Sequence, residues 1–129
     1  MGAELRKIMY IEDEPDIQII AKLSLEQVGG FEVQICSSGV EGLAKVKAFH
    51  PDLILLDVMM PGMDGPTTLA ELKKMPELKN VPMVFMTAKA QPLEIEHFKR
   101  LGVVDVITKP FDPVGLPAQV RKIWTSAVG

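Results

Sequence analysis

The chain has 129 residues, the length of one ordinary domain, and its 47% hydrophobic and 24% charged residues exclude a disordered or fibrous protein. One cysteine, Cys36, excludes an intrachain disulfide and a thiolate zinc cluster. The net charge of −3 argues against nucleic acid or an anionic membrane as the main partner.

The first twenty residues hold no secretory signal, because Glu12, Asp13, Glu14 and Asp16 interrupt every candidate apolar stretch. No run reaches the roughly eighteen apolar residues of a membrane helix. Met1-Gly2 opens like a myristoylation motif, but Arg6 stands where that motif needs Ser or Thr. A cytoplasmic protein is the simplest expectation.

Lys7–Ile11 is the first apolar run and predicts a strand. A helix follows from Pro15, with Ile17, Ile20, Ala21, Leu25 and Val28 on one stripe and Gly29-Gly30 as its stop. Phe31–Cys36 alternates, with Glu32 and Gln34 set against Phe31, Val33 and Ile35, the pattern of an edge strand. Ser38 and Glu41 form a capping box at the head of the second helix. Leu53–Leu56, Met83–Met86 and Val103–Ile107 are short continuous apolar runs, as expected of strands buried on both faces. Pro66 and Pro92 place the third and fourth helices, and Gly102 ends the fourth. The last helix carries Leu116, Val120, Ile123, Trp124 and Ala127. It begins either at the Asp112-Pro113 cap, with Pro117 then inside it, or only at Pro117.

Five βα units predict an α/β doubly wound domain over residues 1–129, with right-handed crossovers. Ligands of such sheets bind beyond the carboxyl ends of the strands. There the chain places Glu12 and Asp13, then Asp57, Thr87, and finally Thr108 and Lys109. Singly, each has an ordinary role: a carboxylate caps the next helix, a threonine bonds to backbone, a lysine is solvated. Together, three carboxylates at one site repel and call for a cation. Hard oxygen ligands suit Mg²⁺, and a metal facing a hydroxyl and a lysine is a site that holds a phosphoryl group.

The segments Ile11-Glu12-Asp13-Glu14-Pro15, Asp52 to Gly65, Met86-Thr87-Ala88 and Thr108-Lys109-Pro110-Phe111 together resemble the receiver domain of bacterial two-component response regulators, over essentially the whole chain. The resemblance implies a flavodoxin-like parallel sheet of strand order 2-1-3-4-5 with helices on both faces. It makes Asp57 the phosphorylated aspartate and Asp13 a direct Mg²⁺ ligand. Glu12 is the second acidic position, acting through water, and the Met59 backbone carbonyl is a third protein ligand. Thr87 becomes the hydroxyl that turns toward the phosphoryl group, Lys109 the lysine that pairs with it, and the Lys109–Pro110 bond cis. The expected donor is a phosphohistidine on a histidine kinase or phosphotransfer protein. The output is altered binding to another protein, in a stand-alone switch that promotes its own modification but is no turnover enzyme. Met59 and Lys89 occupy the two variable positions that influence hydrolysis. Val106 stands where the family commonly has an aromatic residue, so the switch lacks its usual ring.

Rival readings remain. One is an interaction module of the same fold that works unphosphorylated. A flavin protein would need a hydroxyl- and glycine-rich loop where this chain has Glu-Asp-Glu-Pro, and an aspartyl phosphohydrolase a second aspartate where Met59 stands. His50 and His97 have no second histidine nearby, and Gly62 and Gly65 shape a turn without completing a nucleotide motif.

Overall fold

A computed structural model describes residues 4–128; Met1-Gly2 lie outside them. The strands are β1 (Lys7–Ile11), β2 (Glu32–Cys36), β3 (Leu53–Asp57), β4 (Met83–Thr87) and β5 (Asp105–Thr108). The helices are α1 (Pro15–Leu23), α2 (Gly39–Phe49), α3 (Gly65–Lys73), α4 (Pro92–Leu101) and α5 (Leu116–Val128). All neighbouring strands pair in parallel, in the order β2-β1-β3-β4-β5. Alternation in the pleat sends Ile8, Tyr10, Leu55 and Met86 to the face covered by α1 and α5. Met9, Ile11, Leu56 and Phe85 go to the face covered by α2, α3 and α4. That double cover is why β3 and β4 are buried throughout, whereas β2 at the edge is partly exposed.

The ends of the helices follow their capping residues. Ser38 Oγ accepts from Glu41 N–H at 3.0 Å, and Glu41 reaches back one residue further than a standard capping box, to Ser37 N–H. Asp64 caps α3 through Thr67 N–H at 2.8 Å. Gly102, at φ 123°, ends α4 in a backbone conformation that side chains rarely adopt.

Two sequence expectations need correction. The predicted stripe of the first helix fails at its end: Ile20 and Val28 are exposed, while Ser24 is buried beside Ala21 and Leu25. Ile20 lies at the margin of the stripe within regular α1; for Val28 the cause is one turn of π-helix, Ser24–Val28, closed by Gly29 N–H donating to Ser24 C=O at 3.1 Å. Its wider turn rotates the face away from a 3.6-residue period. The last helix resolves its two possible starts in a compound way. Asp112 accepts Val114 N–H through its side chain and Leu116 N–H through its carbonyl, so the turn opens at Asp112 and the regular helix begins at Leu116. Pro117 has no N–H for the Pro113 carbonyl one turn back, and the buried Ser24 hydroxyl donates to that carbonyl instead. The π turn and the proline in α5 therefore complete each other. On the same helix Ala127 is exposed, and Trp124 is only partly buried.

Candidate functional site

The register brings the expected residues to one end of the sheet. Asp57 lies level with Met86, Met86 with Ile107, and Thr87 with Thr108. Glu12 follows β1 directly, its N–H donating to Cys36 C=O at 2.9 Å. The backbone after Asp57 is held close under α3: Gly65 N–H donates to Val58 C=O at 2.8 Å. A Cβ on Gly65 would come within 2.7 Å of Val58 Cα, so only glycine permits that approach.

Carboxylate oxygens of Glu12, Asp13 and Asp57 all lie within 4.8 Å of one another. Glu12 is 0% exposed and Asp57 3%. Lys109 Nζ sits between them, 2.9 Å from Asp57 Oδ1 and 3.0 Å from Glu12 Oε1. Three carboxylates against one ammonium leave a buried excess of negative charge. Hard oxygens clustered with such an excess fit a divalent cation that keeps part of its water shell.

The electrostatics follow from burial. Burial pushes the Asp57 carboxyl up to about 6; the Lys109 hydrogen bond opposes this and the Glu12 charge adds to it. Burial pulls the Lys109 ammonium down, but its hydrogen bonds to Asp57 and Glu12 outweigh that and leave its pKa raised. Burial of the Cys36 thiol raises it to about 11, so this cysteine stays protonated and inert.

Thr87 is buried at the end of β4, where its Oγ1 accepts from Lys89 N–H at 3.1 Å. Its carbonyl accepts from Lys109 N–H at 2.8 Å, tying the ends of β4 and β5 together. The Lys109–Pro110 bond is cis. A cleft of about 410 Å³ opens over Asp57, lined by Met59, Thr87, Lys89 and Lys109 among others. Met59, one of these lining residues, is 76% exposed. Thr108, placed by the sequence at the same edge, is exposed and not among the cleft residues. Val106 is buried in the cluster against which Ala90, Ile95 and Phe98 pack.

Two residues of the site were missed in the sequence. Tyr10, fully buried, donates its hydroxyl to Glu12 Oε1 at 3.1 Å. Burial first, then the Glu12 charge, push the phenol well above its ordinary range, so it keeps its proton and acts as a donor. Gln18 bridges from α1 to the Glu12 carbonyl and to Ser37 Oγ, at 2.5 and 3.1 Å. For Tyr10 the available signal was a polar tip two residues before Glu12 in the apolar run Ile8–Ile11, hence on the same face.

The chain is similar to known proteins over most of its length. The family model for the response regulator receiver domain matches residues 8–121. The transcriptional regulatory protein CseB of Streptomyces avermitilis is 33% identical over 121 residues, which is 94% of this chain and 50% of that protein. The alkaline phosphatase synthesis transcriptional regulatory protein PhoP of Bacillus subtilis is 35% identical over 118 residues, 92% of this chain and 48% of PhoP. The chain thus spans about half the length of the curated relatives it matches. Among solved structures, the chemotaxis response regulator CheY4 of Vibrio cholerae superposes with a TM-score of 0.86 at 26% identity, over 93% of this chain and 99% of that one. With the family match running from β1 into α5 and the acidic cluster at the carboxyl end of the shared sheet, the chain belongs to the receiver domain family of response regulators.

Proposed function

We propose that residues 1–129 form a single phosphorylatable switch in which Asp57 accepts a phosphoryl group from a phosphohistidine on a histidine kinase or phosphotransfer protein. The observation that carries this reading is the convergence of Glu12, Asp13 and Asp57 around one point with Lys109 Nζ 2.9 Å from Asp57. Receiver domains are signalling modules and not turnover enzymes, and they bind Mg²⁺ at an acidic pocket of this kind. Asp13, the Met59 carbonyl and Asp57 would hold the ion directly, and Glu12 through water. Bound there, Mg²⁺ supplies neutralisation of charge on the transferring group.

The chain's own residues do the rest. An Asp57 carboxylate oxygen forms the new P–O bond while the P–N bond of the donor breaks, and the imidazole takes the electron pair. Lys109 moves from pairing with the carboxylate to pairing with phosphoryl oxygens. Thr87 gives up Lys89 N–H, turns its hydroxyl to the new dianion, and draws the loops after β4 and β5 with it. Hydrolysis of the product is slow and uncatalysed by any base at the cleft mouth.

Incubation with Mg²⁺ and a small-molecule phosphodonor, read by intact-mass spectrometry, tests this: one phosphoryl group is gained, and it is lost in Asp57→Asn. No gain in the wild type would favour the second reading, a module of the same fold that binds its partner unphosphorylated. The observation on that side is Val106, buried and ringless where the family commonly has an aromatic residue.

The site reads the same whether the chain acts alone or within a longer regulator. The curated relatives are about twice the matched length, and one, RpaA of Synechocystis, is named a DNA-binding regulator. We assign a protein partner, and not nucleic acid, to the region described here, on its net charge of −3. Among the described residues no helix is long and apolar enough to cross a membrane, and a cytoplasmic location fits a phosphohistidine donor.

A further inference from the structure

Glu12 is fully buried, yet the cation that pairs with it is shared. Lys109 Nζ holds Glu12 Oε1 and Asp57 Oδ1 at once, and under the phosphoryl-transfer reading it must leave both for the phosphoryl oxygens. A buried carboxylate stripped of its partner is costly and free to turn. The structure contains a second holder for the same atom. Tyr10 Oη reaches Oε1 at 3.1 Å, and Glu14 N–H holds the other oxygen, Oε2, at 3.2 Å. Counting two acceptor positions per oxygen, Tyr10 and Lys109 fill Oε1 and Glu14 fills half of Oε2. One position remains, on Oε2.

The chain reaches this arrangement simply. Tyr10 lies on β1 and Glu12 one residue past its end, still bonded to Cys36 C=O, so the two stand two residues apart and share a face. Two residues of strand rise about 6.6 Å, a distance that a tyrosine side chain lying along the strand can span. The ring fills the α1/α5 side of the core as any apolar residue would. Only the hydroxyl is surplus to packing, and it ends on Glu12.

We propose that Tyr10 is a positioning residue that anchors Glu12 independently of Lys109, keeping the carboxylate turned toward the metal position when the lysine departs. This rests on the functional reading above. Tyr10 touches neither metal nor phosphoryl group and acts only through Glu12.

The test measures Mg²⁺ affinity by calorimetry on unphosphorylated protein, with melting temperatures taken in chelator. Four proteins form a cycle: wild type, Tyr10→Phe, Lys109→Ala and the double variant. Tyr10→Phe keeps the ring but leaves a buried acceptor position of Glu12 empty, so it is expected to melt a few degrees below wild type and to bind Mg²⁺ about tenfold more weakly, the loss typical of a removed outer-shell partner. The loss should be larger in the Lys109→Ala background, where the hydroxyl is the remaining holder of Oε1. Tyr10→Leu separates hydroxyl from packing: it should lower stability further while weakening Mg²⁺ no more than Tyr10→Phe does. Unchanged affinity in Tyr10→Phe, or an equal loss in both backgrounds, overturns the assignment while leaving the functional reading standing. A wild type that binds no Mg²⁺ removes the functional reading, and the role of Tyr10 goes with it.

Discussion

Asp57→Asn should make the metal-free protein more stable, because the carboxylate of this proposed acceptor is a burden on the fold. The amide keeps the shape and removes a charge held beside Glu12 and Asp13. Burial raises Asp57 to about 6, and each tenfold change in proton affinity is worth about 1.4 kcal/mol. Set against an ordinary aspartate near about 4, the full burden at neutral pH is about 3 kcal/mol. The cleft opens to water, which screens the charge, so the expected gain is about 1–2 kcal/mol. For a chain of this size that raises the melting midpoint by roughly 3–8 °C. The sign fixes the pH window. The folded protein keeps the Asp57 proton up to about 6, whereas the unfolded chain releases it near about 4, so between these values the folded state binds more protons. Wild-type stability from this group therefore falls as pH rises through that window, and the burden is complete above it. Thermal melts of both proteins in chelator at pH 7.5 and at pH 4 check this, since the difference should be largest at the first and close at the second. A variant that melts at or below wild type at pH 7.5, or an advantage undiminished at pH 4, refutes the reasoning.

Thr87→Ala should still accept a phosphoryl group, since its hydroxyl serves the product, whereas Lys109→Ala loses the cation 2.9 Å from Asp57 and should transfer more slowly; initial rates with one donor at one Mg²⁺ concentration decide the order. Asp13→Ala should weaken Mg²⁺ more than Glu12→Ala, measured by calorimetry, and equal losses would contradict a direct ligand and a water-mediated one. Met59 and Lys89 both line the cleft over Asp57, and neither a thioether nor an ammonium accepts a hydrogen bond well from an attacking water. Met59→Asn combined with Lys89→Glu should therefore shorten the phosphoryl lifetime severalfold in a decay assay, and an unchanged lifetime would place both side chains off the attack path. Ser24→Ala leaves the Pro113 carbonyl without its donor and should cost about 1–2 kcal/mol in urea melts, with no effect on Mg²⁺ binding.

The strands and the location of the site were legible in the sequence because each depends on local pattern. Leu53–Leu56 reads as a doubly covered strand since nothing polar interrupts it, and Phe31–Cys36 as an edge since polar residues alternate through it. Glu12, Asp13, Asp57, Thr87 and Lys109 stand at or just beyond the carboxyl ends of their strands, and a parallel sheet carries all these ends to one side. Distance along the chain is what the sequence cannot report. Where the first helix leaves its period in a π turn, its Ser24 hydroxyl meets the Pro113 carbonyl 89 residues away. Tyr10 reads as one more core residue until its hydroxyl is seen against a Glu12 that also pairs with a lysine 97 residues on. Thr108 stands at the right level of the sheet, beside Thr87, but at the end of the edge strand, where it is exposed. Periodicity and capping act over one or two turns, so they decide which residues lie at the sheet's edge. Which polar atoms then meet there depends on contacts between distant segments, because a buried donor or acceptor must find a partner wherever the packed chain provides one.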